Sequence, residues 1–332
     1  MMSRTTRAGI VGLSLIAAIA FAAPAIAPHD PGRQFADLSY APPMRPHVFD
    51  DDGRVHRPFV YPLRLVDRLE HRFVEDRTTR IPLEWFSSGP LVTADESRGA
   101  WLLLGADALG RDIFARLLLG ARLSLGVSAV AAVVAILLGA ILGALAGYCG
   151  GTIDNVLMRA ADFVLVLPVI YVVIVLRATM PLVLSTSTVF WTMTAILGLA
   201  GWPYPARGVR AVVTGERRKE YAEAARALGA GPTRILLRHL LPAARGFLAV
   251  QITLLLPAFI LAEATLSFVG FGFAEPTPSW GVMLHEAGQA GALFEAPWLL
   301  APAVAIVLTV LSLHLVSAGS EGSAASASDK SL

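Results

Sequence analysis

The sequence predicts an all-α membrane protein with six transmembrane helices, and three observations support this prediction. Hydrophobic residues make up 55% of the 332 residues, and the mean hydropathy of +0.63 is too high for a soluble protein of this length. The chain contains six apolar runs, each close to the ~20 residues that a helix needs to cross the hydrocarbon core. Basic residues concentrate in one loop between two of these runs, which is typical of a cytoplasmic loop.

The first apolar run covers residues 8–27 and follows Arg4 and Arg7. A secretory signal peptide is the alternative interpretation, because Ala25-Ile26-Ala27 resembles a cleavage site. Pro28 at the next position disfavours cleavage, so we favour a retained transmembrane helix over residues 1–27. Both interpretations place the following residues outside the cytoplasm.

The second part of the chain, residues 28–121, is polar and rich in proline and arginine. It is too varied for a low-complexity linker, because aromatic residues punctuate it. We therefore expect an external segment with some structure of its own, with a flexible spacer as the alternative. These aromatic residues include Phe59, Tyr61, Phe73, Trp85 and Phe86.

A polar string from Gly105 to Asp112 leads into the second span. Asp107 or Asp112 can cap a helix that follows, and the apolar face of that helix is expected on the membrane surface. This face consists of Ile113, Phe114, Leu117 and Leu118. The second span is predicted over residues 123–146, where Gly139, Gly143 and Gly147 form a stripe that lets another helix approach closely.

The third span is predicted over residues 163–184, after a short polar loop. Pro168 can kink this helix, and Arg177 is expected to extend to the far interface. The loop residues are Gly150, Gly151, Asp154, Arg159 and Asp162.

The three remaining spans are predicted over residues 188–206, 247–270 and 298–316. Trp191 and Trp202 lie near the two ends of the first of these, as interfacial aromatic residues do. The core of five spans thus covers residues 122–317, and residues 318–332 predict a disordered tail rich in serine and alanine.

Charge orients the protein in the membrane. The loop between residues 207 and 245 is strongly basic, whereas residues 271–296 carry Glu275, Glu286 and Glu295 and no lysine or arginine. The basic loop is therefore expected in the cytoplasm, together with the N-terminus. Between its two end residues, the basic loop contains Arg210, Arg217, Arg218, Lys219, Arg226, Arg234 and Arg238.

Within the basic loop, the residues from Glu220 to Leu228 are good helix formers, and Gly229 can end that helix in a left-handed conformation. Gly231-Pro232 then turns the chain, and Pro242 predicts a bend or stop in a second helix. The first helix is expected to present a small surface to a partner protein. That surface consists of Ala222, Ala224 and Ala225, flanked by Glu223 and Arg226.

This loop resembles the cytoplasmic signature of membrane subunits of binding-protein-dependent ABC importers, which reads E-A-A, three residues, G, nine residues, I, one residue, L-P. His239 stands at the isoleucine position, and the ending is similar to the oligopeptide and dipeptide branch. The matching residues are Glu223, Ala224, Ala225, Gly229, Leu241 and Pro242.

Three further strings resemble C-type permeases of that branch. The string that starts at Gly105 is similar to G-T-D-x-L-G-R-D, with Ala106 in place of threonine. Residues 266–272 and 276–281 are similar to L-S-F-L-G-L-G and P-T-P-S-W-G. The resemblance covers roughly residues 105–316.

The resemblance implies the transmembrane-domain fold of type I ABC importers in a bacterial inner membrane. It also implies a homologous B-type permease, two cytoplasmic ABC ATPase subunits, an external substrate-binding protein and surrounding membrane lipid. Peptides are the expected substrate, and the helix over residues 220–229 is expected to couple to the ATPases. The residues to which the resemblance and the loop assign this coupling are Glu220, Glu223, Ala224, Ala225, Arg226, Gly229, Leu241 and Pro242.

The sequence offers little support for catalysis in this chain. Its two lysines, Lys219 and Lys330, do not follow the glycine pattern of a Walker A loop, so ATP hydrolysis is expected on separate subunits. His285-Glu286 lacks the second histidine of a zinc-protease motif, because position 289 is Gln289. No cofactor, metal or nucleic acid is expected to bind.

Two polar residues within spans leave alternatives open. Glu263 lies on the translocation path, at a subunit contact, or in a structural hydrogen bond, and we slightly favour the last. His314 is expected in a satisfied polar contact. The alternative function is a secondary transporter or channel driven by an ion gradient, with Glu263 and His314 as its coupling pair. A third hypothesis is a membrane scaffold that transports nothing.

Overall fold

The computed structural model describes residues 4–50, 53–68, 70–86, 90–95, 99–179, 181, 184–289 and 292–328. The chain divides into two compact units. The first unit comprises Met1–Ile10, Gly126–Glu263 and Val310–Leu332, and the second comprises Val11–Leu125 and Ala264–Thr309.

Twelve α-helices occur in the described residues. They are α1 Arg4–Ile26, α2 Ile113–Cys149, α3 Gly151–Val166, α4 Val169–Thr179, α5 Thr186–Gly201, α6 Pro203–Glu216, α7 Glu220–Ala227, α8 Pro232–Ile235, α9 Arg245–Phe268, α10 Trp280–Ala287, α11 Ala292–Glu295 and α12 Ala301–Ser328.

The helices agree with the predicted membrane protein. Among the described residues, four helical stretches are long and apolar enough to cross a membrane: Arg4–Ile26, Ile113–Cys149, Pro232–Phe268 and Pro297–Ser317. The bent pair of α3 and α4 gives a fifth candidate, and the apolar helix α5 has 16 residues. Each of the six predicted spans therefore corresponds to a helix or to this bent pair.

The third span differs from its prediction. The polar residues expected in a loop belong to helix α3, and α3 and α4 meet at an angle of 80°. Leu167 at the break is extended, with φ −72° and ψ 118°, because the proline that follows it disfavours a helical conformation. The side chain of Arg177 lies outside what the structure describes.

The charges of α3 explain why it is a helix rather than a loop. Asp154 and Asp162 are eight residues apart and so lie on the same helix face. They form ion pairs with Arg210 and Arg207 of α6. The polar residues thus form one stripe of an amphipathic helix, which a count of loop-forming residues cannot distinguish from a loop.

The predicted glycine stripe is a packing surface in the first unit. A Cβ atom added at Gly139 would lie 2.5 Å from Cγ of Pro205, and one at Gly147 would lie 2.7 Å from the carbonyl oxygen of Arg210. Gly143 lies directly against the backbone of Ala206. Helices α2 and α6 therefore pack with their backbones in close approach, as small residues allow.

The segment between α1 and α2 contains strands that the sequence analysis did not identify. The strands are β1 His47–Phe49, β2 Val55–Val60, β3 Leu63–Asp67, β4 Arg72–Glu75, β5 Ile81–Trp85 and β6 Val92–Ala94. All pairings are antiparallel: a four-stranded sheet in the order β1-β2-β5-β6, and a two-stranded sheet of β3 and β4. Val60, Ile81 and Leu83 pack with Trp101 and Leu102 in one apolar core of the second unit.

The C-terminal helix is longer than predicted. Helix α12 continues to Ser328, so residues 318–328 of the expected disordered tail are helical. Alanine favours a helix, and the tail has no proline to stop one. Residues 329–332 lie outside the described residues.

Candidate coupling site

Helix α7 is the short helix predicted in the basic loop. Its eight residues run from Glu220 to Ala227, and four of them are alanine, the best helix former. Glu220 and Glu223 lie in the first turn and Arg226 in the last, where their charges complement the helix dipole. These three charged residues are exposed.

The predicted cap at Gly229 is confirmed. Gly229 has φ +81°, and its N–H donates to the carbonyl oxygen of Arg226 at 2.9 Å. The next N–H, of Ala230, donates to the carbonyl oxygen of Ala225 at 3.0 Å. Together the two bonds form a Schellman motif, which fixes both the end of the helix and the direction in which the chain leaves it.

The predicted alanine surface is only partly correct. Ala222 is fully buried, and it packs in one apolar cluster with Val209, Val213, Ile235 and Leu240. Ala225, three residues later on the same helix face, packs partly against this cluster. A helix with 3.6 residues per turn cannot present positions 222, 224 and 225 to one partner, so two of the three predicted contact residues instead attach α7 to its own protein.

The exposed side of α7 keeps only one of the three predicted alanines. Ala224 is exposed, and so are Glu220 and Glu223. Leu228, between the helix and its glycine cap, is 87% exposed and was missed by the sequence analysis. Its signal was a single large apolar residue directly before a cap glycine in a polar loop.

Hydrogen bonds connect α7 rigidly to α6. Oη of Tyr221 donates to Glu216 at 2.5 Å, and Nζ of Lys219 donates to the same carboxylate at 2.8 Å. Arg226 donates to the carbonyl oxygen of Arg217 at 3.2 Å. The hydrogen bond from Lys219 and, to a smaller extent, the one from Tyr221 hold the pKa of Glu216 below its usual value. Burial and the Glu216 carboxylate raise the pKa of Tyr221 to about 12. The Tyr221 hydroxyl therefore keeps its proton and its hydrogen bond at neutral pH.

The helix that follows α7 changes its hydrogen-bonding pattern at Pro242 rather than stopping there. A π-helical turn covers Leu236–Leu240, and a 3-10 turn covers Leu241–Ala244 before α9 begins. Proline has no N–H to donate, and these turns accommodate the missing bond within a continuous helix. Leu241 and Pro242 are half-buried, so they are not part of the exposed side of α7.

The two polar residues within spans have different environments. The Glu263 side chain is fully buried in α9, as expected of a carboxyl group within a span. His314 of α12 is exposed, and within the part of the chain that the structure describes it makes no side-chain hydrogen bond. The predicted polar contact of His314 is therefore wrong for this chain alone.

A buried ionic cluster at the start of α2 was also missed. Arg111 donates to Asp107 at 2.6 Å and bonds Glu275, which also accepts from Arg116 at 2.8 Å. Asp107 and Arg116 are fully inaccessible. The cluster lies in the second unit, and it joins the polar string before α2 to the loop before α10.

Asp112 confirms the predicted cap and also pairs with a residue of the segment after α1. Its Oδ1 accepts from the N–H of Phe114 at 2.9 Å, and its Oδ2 pairs with Nδ1 of His29 at 2.9 Å. The helix that it caps is α2 itself rather than a separate helix on the membrane surface, because Ile113 and Leu118 are buried in the protein.

Comparisons with known proteins identify similar chains. Residues 135–320 match the family described as binding-protein-dependent transport system inner membrane component. The oligopeptide transport system permease protein OppC of Bacillus subtilis (strain 168) is 38% identical over 237 residues, which are 70% of this chain and 74% of that protein. OppC of Escherichia coli (strain K12) is 39% identical over 216 residues, which are 65% of this chain and 69% of that protein.

Two further comparisons concern a dipeptide system and a solved structure. The dipeptide transport system permease protein DppC of Bacillus subtilis (strain 168) is 40% identical over 216 residues, 65% of each chain. A solved structure of the inward-facing MetNI methionine ABC transporter is 21% identical, with a TM-score of 0.48, and covers 62% of this chain and 95% of its own.

Proposed function

This chain belongs to the family of binding-protein-dependent transport system inner membrane components, and from that membership we propose that it is the permease subunit of an ATP-driven peptide importer. Peptide is the proposed substrate because the similar permeases from Bacillus subtilis and Escherichia coli are named for oligopeptide and dipeptide transport. The strings at residues 105–112, 266–272 and 276–281 support the same branch.

The chain forms half of the translocation pathway in this proposal. A homologous B-type permease forms the other half, two cytoplasmic ABC ATPases supply the energy, and an external binding protein delivers the peptide. The permease itself carries out no covalent chemistry. Its N-terminus lies in the cytoplasm, residues 1–27 form a retained span, residues 28–121 lie outside, and residues 122–317 form the permease core.

In this proposal helix α7 acts as a lever, because it transmits motion of the ATPases to the membrane helices. Its exposed side, with Glu220, Glu223, Ala224 and Leu228, enters a groove of an ATPase. Its other side is attached to the protein through the buried Ala222. The observation that carries the coupling proposal is this arrangement: a short helix with one side attached and one side exposed, whose end and exit direction are fixed by the cap at Gly229.

Motion of α7 passes to the membrane helices through packed contacts. The Tyr221–Glu216 and Arg226–Arg217 hydrogen bonds connect α7 to α6. Helix α6 in turn packs against the glycine stripe of α2, with backbones so close that one helix cannot slide freely past the other. ATP-driven closure of the ATPases would therefore move α7, α6 and α2 together and open the pathway to the outside.

The remaining proposed coupling residues act within this unit. Arg226 and Gly229 fix the end of α7, and Ala225, Leu241 and Pro242 pack or shape the helix behind it. Glu263 has a structural role in α9, consistent with its complete burial. An exposed His314 offers no buried partner for a proton relay with Glu263, so the ion-gradient hypothesis gains no support from this pair.

The experiment that tests this function is energised uptake of a radiolabelled dipeptide and a tripeptide into vesicles that contain the purified assembly. We expect uptake to require ATP and the binding protein, and to continue when an uncoupler removes the proton gradient. Uptake that does not depend on ATP and that is abolished by the uncoupler would overturn the proposal in favour of an ion-driven transporter.

A further inference from the structure

A basic pocket lies beside the N-terminal end of the helix that leads into α9. Its volume is about 600 Å³. We call it the arginine pocket, and it is lined by Thr233, Arg234, Leu237, Arg238, Pro242 and Arg245. Arg234 and Arg238 are one helical turn apart and Arg245 follows two turns later, so the three guanidinium groups project from one side of the helix.

The charge of the arginine pocket is not compensated within the chain. In the part of the chain that the structure describes, none of the guanidinium groups of these three arginines makes a hydrogen bond or an ion pair. Two other arginines of the first unit differ: Arg207 pairs with Asp162, and Arg210 pairs with Asp154. Since no acidic residue lines the pocket, three positive charges face one open concave surface, which is an arrangement suited to an anion.

The surroundings of the pocket are apolar as well as basic. Leu237, which lines it, is 60% exposed. Ile252, seven residues after Arg245 and thus on the same side of α9, is 38% exposed. The helix from Pro232 to Phe268 is one of the candidate membrane spans, so the arginines occupy its first turns, at the depth where phospholipid headgroups lie.

We propose that the arginine pocket binds the phosphate of an anionic glycerophospholipid in the leaflet nearest α7. Planar guanidinium groups bind phosphate oxygens through paired hydrogen bonds. The acyl chains would then lie along Leu237 and Ile252, which a free phosphate or an acidic protein surface does not require. A lipid held at this point packs against the helix that anchors α7.

The test uses the assembled transporter, with lipid binding followed by native mass spectrometry. Phosphatidylglycerol and phosphatidylcholine with identical acyl chains are titrated against the wild type and against an Arg234→Gln/Arg238→Gln double variant. The matched control is Arg159→Gln/Arg218→Gln, which removes two exposed arginines outside the pocket. Retention of the ATPase subunits is measured in the same spectra.

We expect the wild type to prefer phosphatidylglycerol, and the pocket variant to lose about fivefold in affinity for each arginine removed. The control variant should bind both lipids as the wild type does. Arg238→Lys, which keeps the charge, should retain most of the preference.

Three results would overturn the proposal. The pocket variant could keep the wild-type affinity for phosphatidylglycerol. Inorganic phosphate at the same concentration as the lipid could displace it fully, which would exclude a role for the acyl chains. The pocket variant could also release the ATPase subunits while lipid binding stays unchanged, which would assign the surface to a protein partner.

Discussion

Substitution of Gly229 by valine tests whether the cap of α7 is needed for coupling. The backbone at Gly229 has φ +81°, in the left-handed region, and an added Cβ would meet nothing within 4 Å. The cost of the substitution is therefore conformational: about 1–2 kcal/mol for any residue with a Cβ in the left-handed conformation, and more for a β-branched one. A penalty of that size shifts the equilibrium between the capped and the frayed helix about 5- to 30-fold towards fraying.

Gly231, two residues later, provides the matched control. It has φ −66° and also has open space around it, so Gly231→Val introduces the same side chain without backbone strain. Gly229→Asn should be tolerated better than valine, because asparagine adopts left-handed conformations at low cost.

The assay is peptide uptake together with peptide-stimulated ATP hydrolysis in vesicles, normalised to the amount of inserted permease. We expect Gly229→Val to abolish uptake while the protein remains inserted, because α9 and the other spans are unaffected. Gly231→Val should transport normally. Normal uptake by Gly229→Val, at an equal protein level, would refute the role of the capped helix as a lever.

Three further predictions concern other parts of the structure. Gly143→Val drives a side chain into the backbone of Ala206 and should lower the free energy of unfolding by about 1–3 kcal/mol or more. A fall in the Tm of the purified protein checks this. The control is Gly215→Ala, where no atom lies within 4 Å of the added Cβ, and equal Tm values for the two variants would contradict the prediction. Leu228→Asp should weaken ATPase binding at least about tenfold without changing Tm, and unaltered ATPase retention during purification would argue against Leu228 as a contact. Burial, together with Asp107, raises the pKa of Glu286 above its ordinary value of 4.5, so its contribution to stability is present below pH 4.5 and is lost as the pH rises through the raised pKa. Glu286→Gln should flatten that part of the stability curve, and an unchanged slope would contradict the assignment.

Local rules were sufficient for several features of the fold and the site. The cap at Gly229 follows from one glycine after a run of helix formers, and the structure confirms it. The stripe of Gly139, Gly143 and Gly147 indicated a close helix contact for the same reason, since spacing alone places the three glycines on one face. The composition of the apolar runs located the membrane helices.

Features that depend on contacts between distant residues were not visible in the sequence. Arg111 and Glu275 are 164 residues apart, and His29 and Asp112 are 83 apart, so no local spacing connects them. The strands between α1 and α2 are three to six residues long, too short for alternation to separate them from loops.

The burial of Ala222 illustrates the same limit within the candidate site. The sequence shows which residues share a face of α7, but only the packing of α6 and of the helix after α7 decides which face points inward. For this reason Ala222, which was expected at the partner surface, is buried, and the exposed Leu228 was not foreseen.

Cysteine cross-linking at α7 tests the central claim most directly. After Cys149, the only native cysteine, is replaced by alanine, a single cysteine is introduced either at the exposed Ala224 or at the buried Ala222. Cross-linking in native membranes should join Ala224→Cys to an ATPase subunit, with a yield that changes when ATP binds, while Ala222→Cys should stay unreacted. If Ala224→Cys reacts only with lipid or solvent reagents, or if both positions react equally with the ATPase, helix α7 is not the lever that couples this permease to its motor.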